Sequence, residues 1–176
     1  MNRKKVQIGI VGAGFISQLC HMKNYDEIPN CKIVALAEIR TKLRELVAKR
    51  YNISKTYRSH AELLEKDNEV EAVVVVTKRT MTGPIALDCI NAGTSILTEK
   101  PMASTYKQGK KLVDAAKEKG VLYKVGYNKR YDEGVEKAKL ILDQLLVTKE
   151  LGEIIYVRAH RFSGTGYCNP TGDIKT

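Results

Sequence analysis

The sequence contains no tryptophan, and it has only four cysteines and three histidines among its 176 residues. No two cysteines form a C-x-x-C pair, and neither residue type shows the spacing of zinc ligands. We therefore expect neither a bound metal nor a disulfide framework. Free thiols are typical of a reducing compartment, which predicts a cytoplasmic protein. The residues concerned are Cys20, Cys31, Cys89, Cys168, His21, His60 and His160.

The chain also lacks an apolar run long enough to cross a bilayer. Its basic start, "MNRKK", precedes a short apolar stretch that is interrupted by Gln7 and by glycines. That stretch has no small-residue cleavage site, so it indicates a first β-strand rather than a signal peptide. The composition, 43% hydrophobic and 28% charged, is that of a soluble globular protein, and we expect no membrane partner.

Basic residues outnumber acidic ones, which gives a formal net charge of +10. A nucleic-acid-binding protein concentrates such charge in one patch or in a recognisable module. Here segments such as "KQGKKLVDAAKEKG" interleave lysines with acidic residues, a pattern typical of solvated helix faces. We therefore predict no nucleic-acid partner and a modest attraction for anionic small molecules.

Short apolar segments alternate with amphipathic ones up to residue 127. The apolar segments show little polar alternation, which is typical of parallel strands covered on both faces. The alternation predicts an α/β fold with a doubly wound parallel sheet. One helix is predicted to start at Pro84 and to end at Gly93. The predicted strands are "KVQIGIVGA", "CKIVALAE", "KTYRS", "EAVVVVT", "TSILTE" and "VLYKVGY".

The first strand runs into a glycine-rich segment, "GIVGAGFIS". Gly12 permits a tight strand-to-helix turn, and Gly14 lets the backbone approach a pyrophosphate at the helix N-terminus. Ser17 stands where a dinucleotide-binding fingerprint has its third glycine, and its small side chain is compatible with close helix–strand packing. An ordinary tight turn is the alternative. The predicted cofactor-binding residues of this segment are Gly12, Gly14, Phe15 and Ile16.

Glu38 lies at the carboxyl end of the second predicted strand. A carboxylate there accepts hydrogen bonds from the adenosine ribose hydroxyls, which favours NAD as the cofactor. Arg40 follows closely and is able to accommodate a 2′-phosphate, so NADP stays open. In the alternative interpretation, both side chains merely lie in solvent at a strand end.

The segment "TEKP", Thr98–Pro101, ends the fifth predicted strand. Ligands of doubly wound folds bind beyond the carboxyl ends of the strands, so Glu99 and Lys100 are predicted to face the cofactor crevice and to belong to the cofactor-binding residues. A lysine at that place is able to exchange a proton with a substrate hydroxyl. From the residues alone, a surface turn is equally compatible with this segment.

Five segments, in order and spacing, resemble the Gfo/Idh/MocA family of NAD(P)-dependent oxidoreductases over about residues 6–163. The resemblance implies a Rossmann fold and hydride transfer between a sugar or polyol carbon and nicotinamide. It also implies that Lys100 is catalytic and deprotonates the substrate hydroxyl. Arg130 and Tyr131 are similar to a family segment that lines the cleft, and Arg130 is assigned to cofactor binding. The segments are "GIVGAGFIS", "VALAEIR", "AVVVVT", "AGTSILTEKPMA" and "VGYNKRYDEGVEKAKLIL".

The chain departs from the family after the fourth strand, where "TKRTMT" replaces the usual T-P-N-x-x-H. Thr77 is retained and is assigned to cofactor binding, whereas Thr82 stands in place of the histidine. Lys78 and Arg79 form a basic pair that suits an anionic sugar or sugar nucleotide. The departure also supports an alternative function, a non-catalytic NAD(P)-binding sensor or regulator with the same fold.

After residue 127 the pattern changes to a longer amphipathic segment and then to "GEIIYVRAHRFSG", which alternates as a long strand. We predict a dinucleotide-binding domain over residues 1–127, a connecting helix over 128–150, and the first strand of an incomplete α+β substrate domain over 151–176. A lone strand leaves its backbone unpaired, so we expect the chain to be part of a longer protein. The resemblance implies a catalytic Asp and His beyond Thr176, and we expect the full-length protein to be a homo-oligomer.

Overall fold

The computed structural model describes residues 4–160, which fall into two units divided after Gly126. The first unit is built on one six-stranded sheet whose strand pairs are all parallel. Its strands are β1 (Val6–Val11), β2 (Cys31–Ala37), β3 (Lys55–Tyr57), β4 (Ala72–Val75), β5 (Ser95–Thr98) and β6 (Tyr123–Val125). Their spatial order is β3-β2-β1-β4-β5-β6. The predicted doubly wound fold is therefore confirmed.

The helices of the first unit lie between the strands along the chain. A π-helical segment, Ser17–Met22, continues into α1, so the predicted first helix is present. Ser59 caps α3, where its Oγ accepts a hydrogen bond from the Glu62 N–H at 3.1 Å. The helices are α1 (Lys23–Glu27), α2 (Thr41–Arg50), α3 (His60–Lys66), α4 (Arg79–Asn91) and α5 (Tyr106–Lys119).

The prediction that the fourth helix starts at Pro84 is wrong, because α4 begins at Arg79. Its first turn is held by the Lys78 carbonyl, which accepts hydrogen bonds from the Thr82 N–H at 3.1 Å and from the Thr82 hydroxyl at 3.3 Å. These bonds form a turn ahead of the proline, which then occupies an exposed position within the helix. The end of α4 agrees with the prediction, since Gly93 follows it with φ +77°.

The central strands are buried because helices cover both faces of the sheet. Val73 and Val75 point to one face and pack in a cluster with Leu63 of α3 and Ile90 of α4. Val74 points to the other face and packs in a second cluster that includes residues of α2. Full burial of such an apolar side chain stabilises a fold by about 1.5–3 kcal/mol. The uninterrupted valines of β4 therefore reflect burial on both sides.

β1 and β4 are neighbours at the centre of the sheet. β2 and β3 lie beyond β1, and β5 and β6 lie beyond β4, so the strand order reverses at this point. Because every strand is parallel, the segments that follow β1, β2, β4 and β5 all leave the same edge of the sheet. Those segments contain the glycine-rich loop, Glu38, Thr77 and Glu99. The fold thus brings the predicted site residues of the first unit to one edge.

The second unit contains a 3₁₀ turn, Asn128–Tyr131, and a helix, α6 (Glu133–Thr148). The Asp132 carboxylate caps α6 by accepting a hydrogen bond from the Gly134 N–H at 3.2 Å. Residues 151–160 have no strand pairing within the described part of the chain. The remainder of the predicted strand lies outside the described residues, so a substrate domain beginning there stays a prediction. Between residues 4 and 160, no helix has both the length and the hydropathy needed to cross a bilayer.

Candidate cofactor site

The glycine-rich loop starts with a backbone that only glycine fits. Gly12 adopts φ +93°, and its N–H donates a hydrogen bond to the Ala37 carbonyl at 2.8 Å. A Cβ added to Gly12 would lie 2.3 Å from the Val76 carbonyl oxygen. Both the positive φ and this close approach exclude a side chain. The tip of β1 is thereby held between the ends of β2 and β4.

Gly14 differs from Gly12, because no atom lies within 4 Å of the position its Cβ would occupy. The Gln18 N–H donates to the Gly14 carbonyl at 3.1 Å, and the Gln18 side-chain amide donates to the Ala13 carbonyl at 2.8 Å. These bonds begin the helix, and the N–H groups of Phe15 and Ile16 lie in the first turn before them. Such N–H groups and the open space at Gly14 suit an anionic pyrophosphate.

Ser17 is fully buried, and within residues 4–160 its hydroxyl has no hydrogen-bond partner. Its burial agrees with the close packing expected at the place of the fingerprint's third glycine.

The Glu38 carboxylate is buried and joins the end of β2 to the glycine-rich loop. Its Oε2 accepts a hydrogen bond from the Ala13 N–H at 2.9 Å. Arg40 contributes three further donors, its backbone N–H and Nε to Oε1 at 3.0 Å each and Nη2 to Oε2 at 3.2 Å. Glu38 therefore does not lie in solvent, since only 5% of it is exposed.

These contacts set the charge state of the Glu38–Arg40 pair. Burial raises the pKa of the Glu38 carboxyl, but the hydrogen bonds from Arg40 and Ala13 outweigh it, and the net pKa is below its usual value. The hydrogen bond to Glu38 raises the pKa of the Arg40 guanidinium. The pair is thus ionised at neutral pH, and Arg40 donates two of its guanidinium N–H groups to Glu38.

The "TEKP" segment leaves the end of β5 beside the same edge. The Glu99 N–H donates to the Val75 carbonyl at 3.1 Å, which extends the pairing of β4 and β5. Glu99 Oε2 accepts a hydrogen bond from the Lys100 N–H at 3.1 Å, and Glu99 Oε1 lies 2.8 Å from His21 Nε2. The Lys100–Pro101 peptide is cis. The Lys100 side chain is exposed, and no ion pair engages it within residues 4–160.

The remaining predicted residues lie in two places. Thr77 follows β4, with its Oγ1 3.5 Å from that of the buried Thr82, while Lys78 and Arg79 are exposed at the start of α4. Arg130 belongs to the 3₁₀ turn of the second unit, so its assignment to the cofactor stays a prediction. Within the described residues, no group of three or more His, Cys, Asp or Glu side chains is arranged to hold a metal ion.

Sequence reasoning missed two contributors to this edge, the Ala13 N–H and the His21 ring. The Ala13 contact depends on a carboxylate 25 residues later in the chain, and no local pattern indicates it. His21 lies in the π-helical segment that follows the loop, and no local pattern of the sequence links its ring to Glu99.

The domain of the first unit matches a known family. The matching family model, GFO_IDH_MocA, is described as an oxidoreductase family with an NAD-binding Rossmann fold, and it covers residues 6–127. The chain belongs to the Gfo/Idh/MocA family. The predicted family, the Rossmann fold and NAD as the cofactor are thereby confirmed.

Relatives within the Gfo/Idh/MocA family include scyllo-inositol 2-dehydrogenase (NAD(+)) of Bacillus subtilis. It is 28% identical over 155 residues, which are 88% of this chain and 44% of the relative. Inositol 2-dehydrogenase of Rubrobacter xylanophilus is 30% identical over 131 residues, 73% of this chain and 37% of the relative. This chain spans less than half the length of the curated relatives it matches.

A solved structure with the same fold is scyllo-inositol dehydrogenase from Lactobacillus casei with bound NAD(H) and scyllo-inositol. Its TM-score is 0.75 at 20% identity, with 81% of this chain and 42% of that chain covered. At this level of identity the likeness shows the Gfo/Idh/MocA fold of the chain and leaves its substrate open.

Proposed function

We propose that the protein is an NAD-dependent oxidoreductase that transfers a hydride between nicotinamide and the hydroxyl-bearing carbon of a sugar or polyol. The observation that carries the proposal is the arrangement at one sheet edge. The glycine-rich loop, the Glu38–Arg40 pair and Lys100 follow β1, β2 and β5, three parallel strands of one sheet. The inositol dehydrogenases among the relatives support a polyol as the substrate class.

The residues of this edge fit NAD. The open space at Gly14 leaves room for the pyrophosphate beside the N–H groups of Phe15 and Ile16. The Glu38 carboxylate stands at the end of β2, where it would accept hydrogen bonds from the adenosine ribose hydroxyls. Because Arg40 already donates to this carboxylate, a 2′-phosphate would compete with Glu38 for it. This competition favours NAD over NADP.

In the proposed reaction, NAD supplies the hydride acceptor when it is bound. Lys100 would hold the substrate hydroxyl and, as the neutral amine, take its proton as the carbon is oxidised; the resulting ammonium returns a proton in the reverse direction. Its exposed side chain is available for this contact. The basic pair Lys78 and Arg79, exposed after β4, supports an acidic sugar within the substrate class.

Replacing Lys100 tests the catalytic role. In the full-length protein, we expect Lys100→Ala to lower kcat by about a hundredfold to ten-thousandfold, because a positioned acid–base group contributes on that order. The Kd of this variant for NAD should stay within about twofold of the wild type, since most of the proposed contacts with NAD are made by other residues. Turnover is followed by NADH absorbance with a panel of polyols, sugars and sugar acids. Lys119→Ala, which removes an exposed lysine at the end of α5, is the matched control.

The replacement of the family's histidine by Thr82 favours the sensor as a second candidate function. A full-length wild-type protein that binds NAD but oxidises no member of the panel would support the sensor. Turnover in Lys100→Ala equal to that of the wild type would refute the catalytic role of Lys100 and leave the oxidoreductase function standing.

A further inference from the structure

We propose that His21 is a positioning residue for Lys100 and that it acts through Glu99. The inference rests on the proposed role of Lys100 in catalysis. It assigns a task to a histidine that lies in the helix after the cofactor loop and that is separated from Glu99 by 78 residues of sequence.

The first step is the hydrogen bond between the two side chains. His21 Nε2 lies 2.8 Å from Glu99 Oε1, and the side chains are only 16% and 22% exposed. An ionised carboxylate only accepts hydrogen bonds, so the ring N–H is the donor. Bonds to a charged acceptor in a partly buried site are among the stronger ones in proteins.

The second step is the bond on the other side of the same carboxylate. Glu99 Oε2 accepts the Lys100 N–H at 3.1 Å, so one carboxylate links the His21 ring to the Lys100 backbone. If the ring fixes one oxygen, the orientation of the carboxylate is fixed, and with it the acceptor for the Lys100 N–H. Without the ring, the Glu99 side chain is free to turn away.

The surroundings hold both ends of this link. The His21 ring stacks on Tyr25, with ring centroids 6.5 Å apart. Gly126 also lies beside the carboxylate, since a Cβ there would be 3.6 Å from Glu99 Oε1. His21 also lies in the π-helical segment, and such segments inside helices occur frequently at functional sites because they redirect side chains.

The consequence for catalysis follows from geometry. The Lys100 side chain is long and exposed, so the position of its ammonium depends on where the backbone of residue 100 is held. A displacement of about 1 Å in a catalytic group costs up to about a hundredfold in rate. Since the ring reaches Lys100 only through Glu99, we expect His21 to influence kcat and to leave the affinity for NAD unchanged.

Three variants test the inference, made in the 176-residue chain for hydrogen exchange and in the full-length protein for kinetics. His21→Leu removes the donor and keeps an apolar side chain in the buried site. His21→Gln restores an N–H donor near the position of Nε2. His60→Leu is the matched control, since His60 Nε2 lies 2.9 Å from Asp88 Oδ2 in a similar pair that joins α3 to α4.

The primary readout is hydrogen exchange at the Lys100 amide, which is independent of activity. Amide-resolved NMR follows the Lys100 N–H separately from those of its neighbours. We expect His21→Leu to speed exchange at Lys100 by at least about tenfold, the loss typical of a charge-assisted hydrogen bond. His21→Gln should restore most of the protection, and His60→Leu should leave it unchanged.

The second readout is kinetic, with NAD and the best substrate of the panel. His21→Leu should lower kcat by about tenfold to a hundredfold. The Kd for NAD should stay within twofold, and His21→Gln should recover kcat.

An unchanged exchange rate at Lys100, or unchanged kcat despite faster exchange, overturns the inference. Equal losses of thermal stability and kcat in the Leu and Gln variants would show a packing role and also overturn it. If the wild type turns over no substrate, the proposed function fails, and the exchange readout still decides whether His21 holds Lys100.

Discussion

The Glu38 carboxylate accepts a hydrogen bond from the Ala13 N–H and three from Arg40. It thus has a structural task, to hold the glycine-rich loop against β2, in addition to its proposed contact with the ribose. The same bonds keep the Arg40 guanidinium beside the carboxylate. Cofactor preference therefore depends on the pair, because two of the three guanidinium nitrogens already donate to Glu38, which holds the arginine away from a 2′-phosphate.

Glu38→Gln is predicted to shift the preference from NAD towards NADP. The neutral amide cannot hold Arg40 as an ion pair, and it accepts less strongly from the ribose hydroxyls. We expect the ratio of the Kd for NADP to the Kd for NAD to fall by at least about tenfold, the effect of one charge-assisted contact. Fluorescence titration with both cofactors measures the ratio. In Glu38→Gln/Arg40→Met the gain in NADP affinity should disappear, and a gain that persisted would exclude Arg40 as its source.

The stability difference between the wild type and Glu38→Gln is predicted to depend on pH. Because the pKa of Glu38 is lowered in the folded protein, its ionisation stabilises the fold above the ordinary carboxyl pKa, and this stabilisation is lost as the pH falls through the folded pKa. The wild type should therefore unfold at higher urea concentration than Glu38→Gln near neutral pH, and the difference should shrink towards pH 3. A difference that did not change with pH would contradict the ionised pair.

At the scale of the loop between β1 and the first helix, the two glycines have separable tasks. Gly12→Ala places a methyl group against the Val76 carbonyl at a positive φ, so we expect a loss of about 3 kcal/mol or more in the free energy of unfolding. Gly14→Ala meets no atom within 4 Å, so its stability should stay within about 0.5 kcal/mol of the wild type while NAD affinity falls about tenfold. Urea unfolding and NAD titration of both variants check the two expectations. Equal stability of the variants would contradict the structural role of Gly12, and undiminished NAD binding by Gly14→Ala would remove Gly14 from the site.

Elements whose signal is local could be predicted from the sequence. The valines of β4 indicated a strand covered on both faces, and the structure buries them in two clusters on opposite faces of the sheet. The start of α4 was missed because the turn at Lys78 depends on a threonine hydroxyl bond, which a rule based on proline does not include.

Contacts between side chains on different elements could not be predicted, because they depend on how the strands and helices pack in three dimensions. The buried Glu38 carboxylate accepts a hydrogen bond from the Ala13 N–H, which lies in the loop after β1. The Glu99 carboxylate contacts His21, which lies in the π-helical segment after that loop. The sequence identified both acidic residues at strand ends but contained no local signal for either partner. The candidate site was thus predicted as a set of residues, and the bonds that order them required the structure.

Across the whole molecule, the formal charge of +10 is distributed rather than concentrated. Lysines pair with acidic residues one turn away on three helices, as in Lys66 with Glu62, Lys110 with Asp114, and Lys139 with Asp143. Exposed pairs of this kind contribute little to stability and are screened by salt. Their interleaving agrees with solvated helix faces, the interpretation that the sequence favoured for its basic residues.

NAD binding should stabilise the first unit selectively, since all proposed contacts except Arg130 lie there. At an NAD concentration about a hundredfold above Kd, mass action adds about 2.7 kcal/mol, which corresponds to a rise in Tm of roughly 8 °C. Hydrogen exchange should slow at the glycine-rich loop and after β2 and β5, and it should stay unchanged along α6.

Slower exchange at the 3₁₀ turn would support the assignment of Arg130 to cofactor binding. The Kd of Arg130→Ala for NAD then tests this assignment. An unchanged Tm in saturating NAD would contradict the fit of this loop to the cofactor, because any ligand that binds only the folded state must raise the midpoint.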